Sequence, residues 1–235
     1  DLFVCINPRK FRIKKEIVME VCGVGIPASI QNLLNVTGMT ILNNFTSAYG
    51  ADAVAAMGIS YKIYMVPMQV SMGFSQGIMP LVSYNFASGD RKRMKASILF
   101  AIKLVVPALA VVTLLYYIGS GELISLFMKN ESIIAYGSRF LRGFSLGLAF
   151  LSLDFLTVGV FQSLGFGKYA LLFAVMRKLV LEIPALLILN AIFPLYGLAY
   201  AQFTAELILG VCAILMLRYI FRKYGNNIKT TTDPF

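Results

Sequence analysis

Apolar residues run along the chain in six long stretches, at about 16–48, 51–86, 94–118, 131–164, 168–193 and 194–221. Each exceeds the roughly 20 residues with which a helix crosses a bilayer, so tilt or protrusion into the interface is expected. The connectors are short and carry helix breakers, among them Tyr49-Gly50-Ala51-Asp52, Ser88-Gly89-Asp90, Gly165-Phe166-Gly167 and Phe193-Pro194-Leu195-Tyr196-Gly197. The pattern predicts an all-α membrane protein: a six-transmembrane-helix bundle over 16–224, with segments 1–15 and 225–235 outside it.

Composition supports a lipid environment. The chain is 58% hydrophobic and 14% charged, whereas a soluble domain is nearer half apolar and a quarter charged. The net charge of +10 belongs to connectors and ends, not to a basic face, which leaves nucleic-acid binding without support. Sixteen of the 21 Lys and Arg fall on one side: the amino-terminal segment, the Arg91–Lys95 turn, Lys168 with Arg177 and Lys178, and the carboxyl tail. The positive-inside bias places both ends in the cytoplasm. Without histidine, and with Cys5, Cys22 and Cys212 at unpaired spacings, zinc sites, Ser-His-Asp catalysis and a disulfide framework have no basis. An enzyme is therefore not expected, and no organic cofactor is.

Several polar and breaking residues lie inside the spans. Pro27 stands in the first, and Pro67, Gly73, Gly77 and Pro80 in the second, where neighbouring helices or water must satisfy the freed backbone. Gln31 and Asn35, one turn apart beside Asn32, form a polar stripe that either lines a wet cavity or bonds to adjacent helices. Tyr61, Met65, Met68 and Met72 share a helix face, with Gln69 and Gln76 close by. Such a face can repack around dissimilar ligands or serve ordinary interhelical packing. Asp154, with Thr157 at i+3, lies deep in the fourth stretch, while Glu182 and Glu206 lie in the last two. An acid there costs at least ~2.5 kcal/mol on insertion scales. Each has two readings, a proton or cation site or a structural ion pair, with Lys62 or Lys103 as candidate partners.

The order of these features resembles the carboxyl-terminal six-helix lobe of the MATE (multidrug and toxic compound extrusion) transporters. The likeness is carried by Gly25-Ile26-Pro27, Gly50 to Ala56, Gly58-Ile59, Pro67, Gly73-Phe74-Ser75-Gln76-Gly77, Pro80-Leu81-Val82, Tyr84-Asn85 and Gln162 to Lys168. It extends from about Pro8 to Tyr224. In that last motif an Arg often stands in the family at the place of Gly165.

The resemblance implies one lobe of a twelve-helix transporter, exporting amphipathic or cationic compounds by alternating access against H⁺ or Na⁺. The other lobe would precede residues 1–15, which would be a cytoplasmic inter-lobe linker, or would be a second copy of a half-size chain. Location in a bacterial plasma membrane, among membrane lipids, follows. The family's carboxyl-lobe cation site maps onto Asn35 and Asp154, with Thr157 beside them, and Na⁺ at Asp154 is the one metal expected. Asn35 stands where many bacterial members have a carboxylate; its amide offers an oxygen but no proton. Candidate cavity residues are Gln31, Tyr61, Met65, Met68, Gln69, Met72 and Gln76, with Pro27, Pro67 and Pro80 as bending points. The alternatives are a lipid-linked oligosaccharide flippase of the same superfamily, which needs a basic cavity, and a non-transporting membrane subunit. Half of a major-facilitator transporter would need a fuller glycine and arginine pattern around Gly89-Asp90-Arg91 than stands there.

Overall fold

The computed structural model describes residues 15–225. The expected linker and tail fall almost wholly outside the described residues. Within them the chain is helical and without strands: α1 (Lys15–Ser47), α2 (Ala51–Ala87), α3 (Arg91–Ile118), α4 (Ser120–Ser125), α5 (Glu131–Ser145) and α6 (Leu148–Ser163), then α7 (Gly167–Val175), a π-helical segment (Met176–Glu182), α8 (Ile183–Ile192) and α9 (Gly197–Gly225). By length and composition alone, α3 and α9 can each cross a membrane, and α5 with α6 forms a third such unit, bent by 45°. The helices α1 and α2 are longer still, at 33 and 37 residues, but carry the polar stripes noted above.

The turns follow from their residues. Gly89 takes a φ of +77°, which a side chain would resist. Asp90 then caps α3 by accepting from the Arg93 N–H at 2.9 Å. The stretch expected as one fourth span breaks at Leu146-Gly147. There the Ser145 carbonyl is satisfied from outside by the Thr113 hydroxyl at 2.9 Å.

At the centre stands α6, against which α2, α3, α7 and α9 pack. Its polar residues gather on no one face, and every residue from Leu151 to Phe161, Asp154 included, is buried, as expected of a helix surrounded by others. Its contact with α2 is tight. A Cβ on Gly159 would lie 2.3 Å from Ser75 Oγ, and that hydroxyl donates to the Phe155 carbonyl at 2.6 Å.

All three anticipated prolines lie within helices that continue past them. A proline lacks the N–H that would bond the carbonyl four residues back, and two of the released carbonyls have visible consequences. Pro67 releases Ile63, whose carbonyl accepts from the Tyr116 hydroxyl at 3.3 Å. Pro27 releases Gly23, and Gly167 approaches that carbonyl so closely that a Cβ there would lie 2.3 Å from it. Pro80 is exposed on α2.

Two hydrophobic clusters fill the bundle. One gathers Tyr64, Phe140, Phe144, Leu148, Leu151 and Leu198, the other Val82, Ile98, Phe161, Phe173, Leu209 and Leu217. Between them, on α6, the π-helical segment and α9, lie the buried charges.

Candidate functional site

The site is built on the π-helical segment Met176-Arg177-Lys178-Leu179-Val180-Leu181-Glu182. The Ile183 N–H bonds to the Lys178 carbonyl, five residues back, so the turn is wider than an α-turn. Pro184 follows directly and has no N–H to offer. The polarity of the segment is inverted relative to a soluble helix: Leu179 and Val180 are exposed, while Arg177, Lys178 and Glu182 are buried. Lipid on the outside and carboxylates on the inside account for that orientation.

Arg177 is the hub. One terminal nitrogen donates to Asp154 Oδ2 at 3.3 Å and lies 3.7 Å from Glu206 Oε1, while the other donates to Asn35 Oδ1. Its guanidinium carbon is 5.2 Å from the centre of the Phe155 ring. Asp154 on α6 and Glu206 on α9 are 2% and 1% exposed. The partner of Asp154 is thus Arg177, not Lys62 or Lys103, both of which are exposed. Beside this triad Lys178 donates to Glu182 at 2.6 Å. Gly38 on α1 makes room for the pair: a Cβ there would lie 3.0 Å from Lys178 Nζ. A further polar link ties Gln202 on α9 to the Tyr64 hydroxyl at 2.8 Å.

Charge does not balance in this layer. Asp154, Glu182 and Glu206 face only Arg177 and Lys178. With all five groups ionised, one negative charge is in surplus. Asp154 Oδ1, Glu182 Oε2 and Glu206 Oε2 also lack hydrogen-bond partners. Buried acceptors are rarely left so, and a surplus charge in low dielectric is costly. One proton would remove the surplus. Na⁺ fits less well, because the guanidinium occupies the space between the Asn35 and Asp154 oxygens that such an ion would need. Among the described residues no group of three His, Cys, Asp or Glu is placed to hold a metal.

Asn35 connects the charges to open space. It lines a cavity of about 130 Å³ between α1, α2 and α6, together with Gln31, Met72, Ser75, Gln76 and Gln162. Of the residues expected at a cavity, Gln31, Met72 and Gln76 are therefore gathered, beside Asn35, which was expected at the ion site. Four others lie elsewhere: Tyr61 packs on Tyr64 and Phe144 at 6.0 Å each, Met68 packs against the first core cluster, and Met65 and Gln69 are exposed. Thr157 is buried, and its hydroxyl donates to the Leu153 carbonyl of its own helix at 2.7 Å. Arg177 and Lys178, which the charge count placed with the cytoplasmic cations, are the residues that sequence reasoning missed. The signal was present in the i,i+4 spacing of Lys178 and Glu182 just before Pro184, inside an apolar run.

The sequence and the fold are similar to those of known proteins. The MatE family profile covers residues 27–188. The multidrug export protein MepA of Staphylococcus saprophyticus is 34% identical over 212 residues, 90% of this chain and 46% of the relative. MepA of Staphylococcus haemolyticus is 31% identical over 216 residues, 92% of this chain and 46% of the relative. The chain thus spans about half the length of the relatives it matches. Among solved structures, an outward-facing multidrug resistance MATE family transporter of the MOP superfamily superposes with a TM-score of 0.87 at 20% identity. That match covers 97% of this chain and 51% of the other. The Vibrio cholerae MATE transporter VcmN in its bent form gives 0.83 at 17% identity, over 92% and 49%. A half-length bundle with this helix order, this core and this sequence kinship belongs to the MatE family of membrane transporters.

Proposed function

We propose that the chain is one lobe of a proton-coupled exporter of amphipathic, often cationic compounds, held in a bacterial plasma membrane with both ends cytoplasmic. The observation that carries this reading is the surplus carboxylate in the buried layer, whose hub Arg177 also donates to Asn35 at the edge of the cavity between α1, α2 and α6. Asp154 and Glu206 share one guanidinium nitrogen. Protonating either carboxylate leaves Arg177 to the other, and losing that proton draws the guanidinium back. This exchange alters how α6, α9 and the π-helical segment are tied together, which is what a lobe coupled to a proton gradient needs. The two relatives described above are named as multidrug export proteins, in keeping with the substrate class. The cavity of about 130 Å³ is smaller than the roughly 300 Å³ at which drug-sized pockets begin. The substrate is accordingly assigned to space between this lobe and its partner lobe.

The test uses the full-length transporter in everted vesicles with ethidium as substrate and an imposed pH gradient. Asp154→Asn is expected to lower gradient-driven efflux by about tenfold or more, about 1.4 kcal/mol in barrier terms, while the protein stays folded in the membrane. Unchanged efflux with unchanged pH dependence assigns Asp154 to structure, which is what the subunit reading holds.

The flippase reading gains nothing from the geometry. Lys62 and Lys103 are exposed, Arg139 lies 4.8 Å over the Tyr196 ring, and Arg142 donates to Tyr117 and Ser120. None of the four lines the cavity at Asn35.

A further inference from the structure

A second polar space lies away from the buried layer, where α3 begins and α9 ends. Lys95 from α3 and Phe221, Arg218 and Arg222 from α9 line an open cleft of about 360 Å³. Lys95 Nζ stands 5.4 Å from the centre of the Phe221 ring, which fixes it toward α9. Three cations converge here, and among the described residues no carboxylate lies within ion-pair distance of any of them: the salt bridges there belong to the buried layer. Like charges gathered without a counter-ion repel, so the arrangement calls for an anion.

The surroundings specify what kind. Along α9, Val211, Leu215, Arg218 and Arg222 follow one another at i, i+4, i+7 and i+11, a single stripe that is exposed throughout. Leu99, one turn along α3 from Lys95, is exposed as well. An apolar, outward-facing strip thus runs up to a cationic cap. Other cations on this side are differently placed. Lys92 and Arg93 are exposed and do not line this cleft, and the Arg91 guanidinium lies 4.0 Å over the Phe86 ring.

We propose that Lys95, Arg218 and Arg222 form a headgroup site for an anionic phospholipid of the leaflet at this end of the bundle. Its phosphate is bound between α3 and α9, and its acyl chains lie along Val211, Leu215 and Leu99. Arginine forks suit phosphate oxygens bidentately, and basic pockets between transmembrane helices bind anionic headgroups. A free phosphate would use the cap and leave the apolar strip unused, so the lipid is the occupant that accounts for both parts. Once bound, the lipid links α3 and α9 through the three cations that converge between them.

The experiment is a native mass-spectrometric titration of the full-length, detergent-solubilised transporter with dioleoylphosphatidylglycerol, and separately with dioleoylphosphatidylcholine. Each cation near an anionic headgroup contributes enough for Arg222→Gln to weaken phosphatidylglycerol binding about fivefold. The triple variant Lys95→Gln/Arg218→Gln/Arg222→Gln should weaken it about fiftyfold or more, with phosphatidylcholine binding unchanged. Lys92→Gln/Arg93→Gln, which removes two exposed cations from the same side, should change it less than about twofold. The proposal is overturned if the single and triple variants bind phosphatidylglycerol as the parent does, or if the Lys92/Arg93 pair matters equally. Full displacement of the lipid by millimolar inorganic phosphate overturns it too, in favour of a free-anion site.

Discussion

Helices α3 and α6 are both strongly apolar, and each carries one charged residue in its middle: Lys103 in one, Asp154 in the other. Their surroundings are opposite. Only Met94, Ile98, Ala101, Val105 and Leu109 of α3 are buried, with Ile102, Val106, Val112 and Tyr116 partly packed beside them, while Lys103 is exposed. In α6 every side chain from Leu151 to Phe161 is buried. A lysine facing lipid can extend its four-carbon stem toward the interface and keep its ammonium wet. A carboxylate enclosed by four helices cannot, and its counter-charge has to come from the protein. The same polarity in a similar sequence is a surface detail in one helix and dictates the packing of three helices in the other.

The comparison is broken most severely at Arg177. Replacing it in Arg177→Leu leaves Asp154 and Glu206 without the cation both face, and stripping one partner from a buried ion pair costs about 3–5 kcal/mol. Thermal unfolding in detergent should register the loss, and Arg177→Leu/Glu206→Gln should recover part of it because one of the orphaned charges is gone. A double variant no more stable than the single one would mean that the carboxylates do not share the guanidinium.

Next comes the contact that encloses α6. Gly159→Val places atoms against Ser75 Oγ and the Ser75 carbonyl, 2.3 and 3.3 Å from the ideal Cβ position. Overpacking of that kind costs about 1–3 kcal/mol. Gly73→Ala, on the part of α2 that faces α3 and the outside, meets nothing within 4 Å and should stabilise slightly, by about 0.5 kcal/mol or less. The same unfolding assay orders the two. Smallest of all is Lys103→Leu, which should stay within about 0.5 kcal/mol of the parent, as outward-facing substitutions do. A larger loss would place Lys103 in a contact and end its likeness to a surface residue.

Fold class was legible in the chain because lipid imposes length and apolarity on each span, and because breakers such as Gly89-Asp90 stand at the turns. The bend before Leu148 was not, since Leu146-Gly147 differs little from glycines elsewhere that sit inside unbroken helices. At the site, Asp154 was conspicuous as an acid in an apolar run. Its partner was hidden: Arg177, with Lys178 next to it, lies within ten residues of the Gly165-Phe166-Gly167-Lys168 connector, and a count of charge by side absorbs both there. Placing them correctly needs the wide turn before Pro184, which no α-helical periodicity anticipates. Asn35, Gln31, Met72 and Gln76 meet because α1 lies beside α2, which itself packs on α6, and the cavity forms where the three face one another. Tyr61 and Thr157, by contrast, spend their contacts on an aromatic cluster and on a backbone carbonyl.

The tyrosine anchored at Pro67 has a mechanical meaning. Because the ring at that position already forgoes a main-chain bond, α2 can change direction there without breaking any rung of its own ladder. In place of that rung, a phenol on α3 grips the Ile63 oxygen across 3.3 Å, a hold of about 1 kcal/mol. Thermal motion can release so light a clasp and close it again, so the longest of the described helices, held along its length by packing on α5 and α6, has at Pro67 the place where it flexes with least main-chain cost.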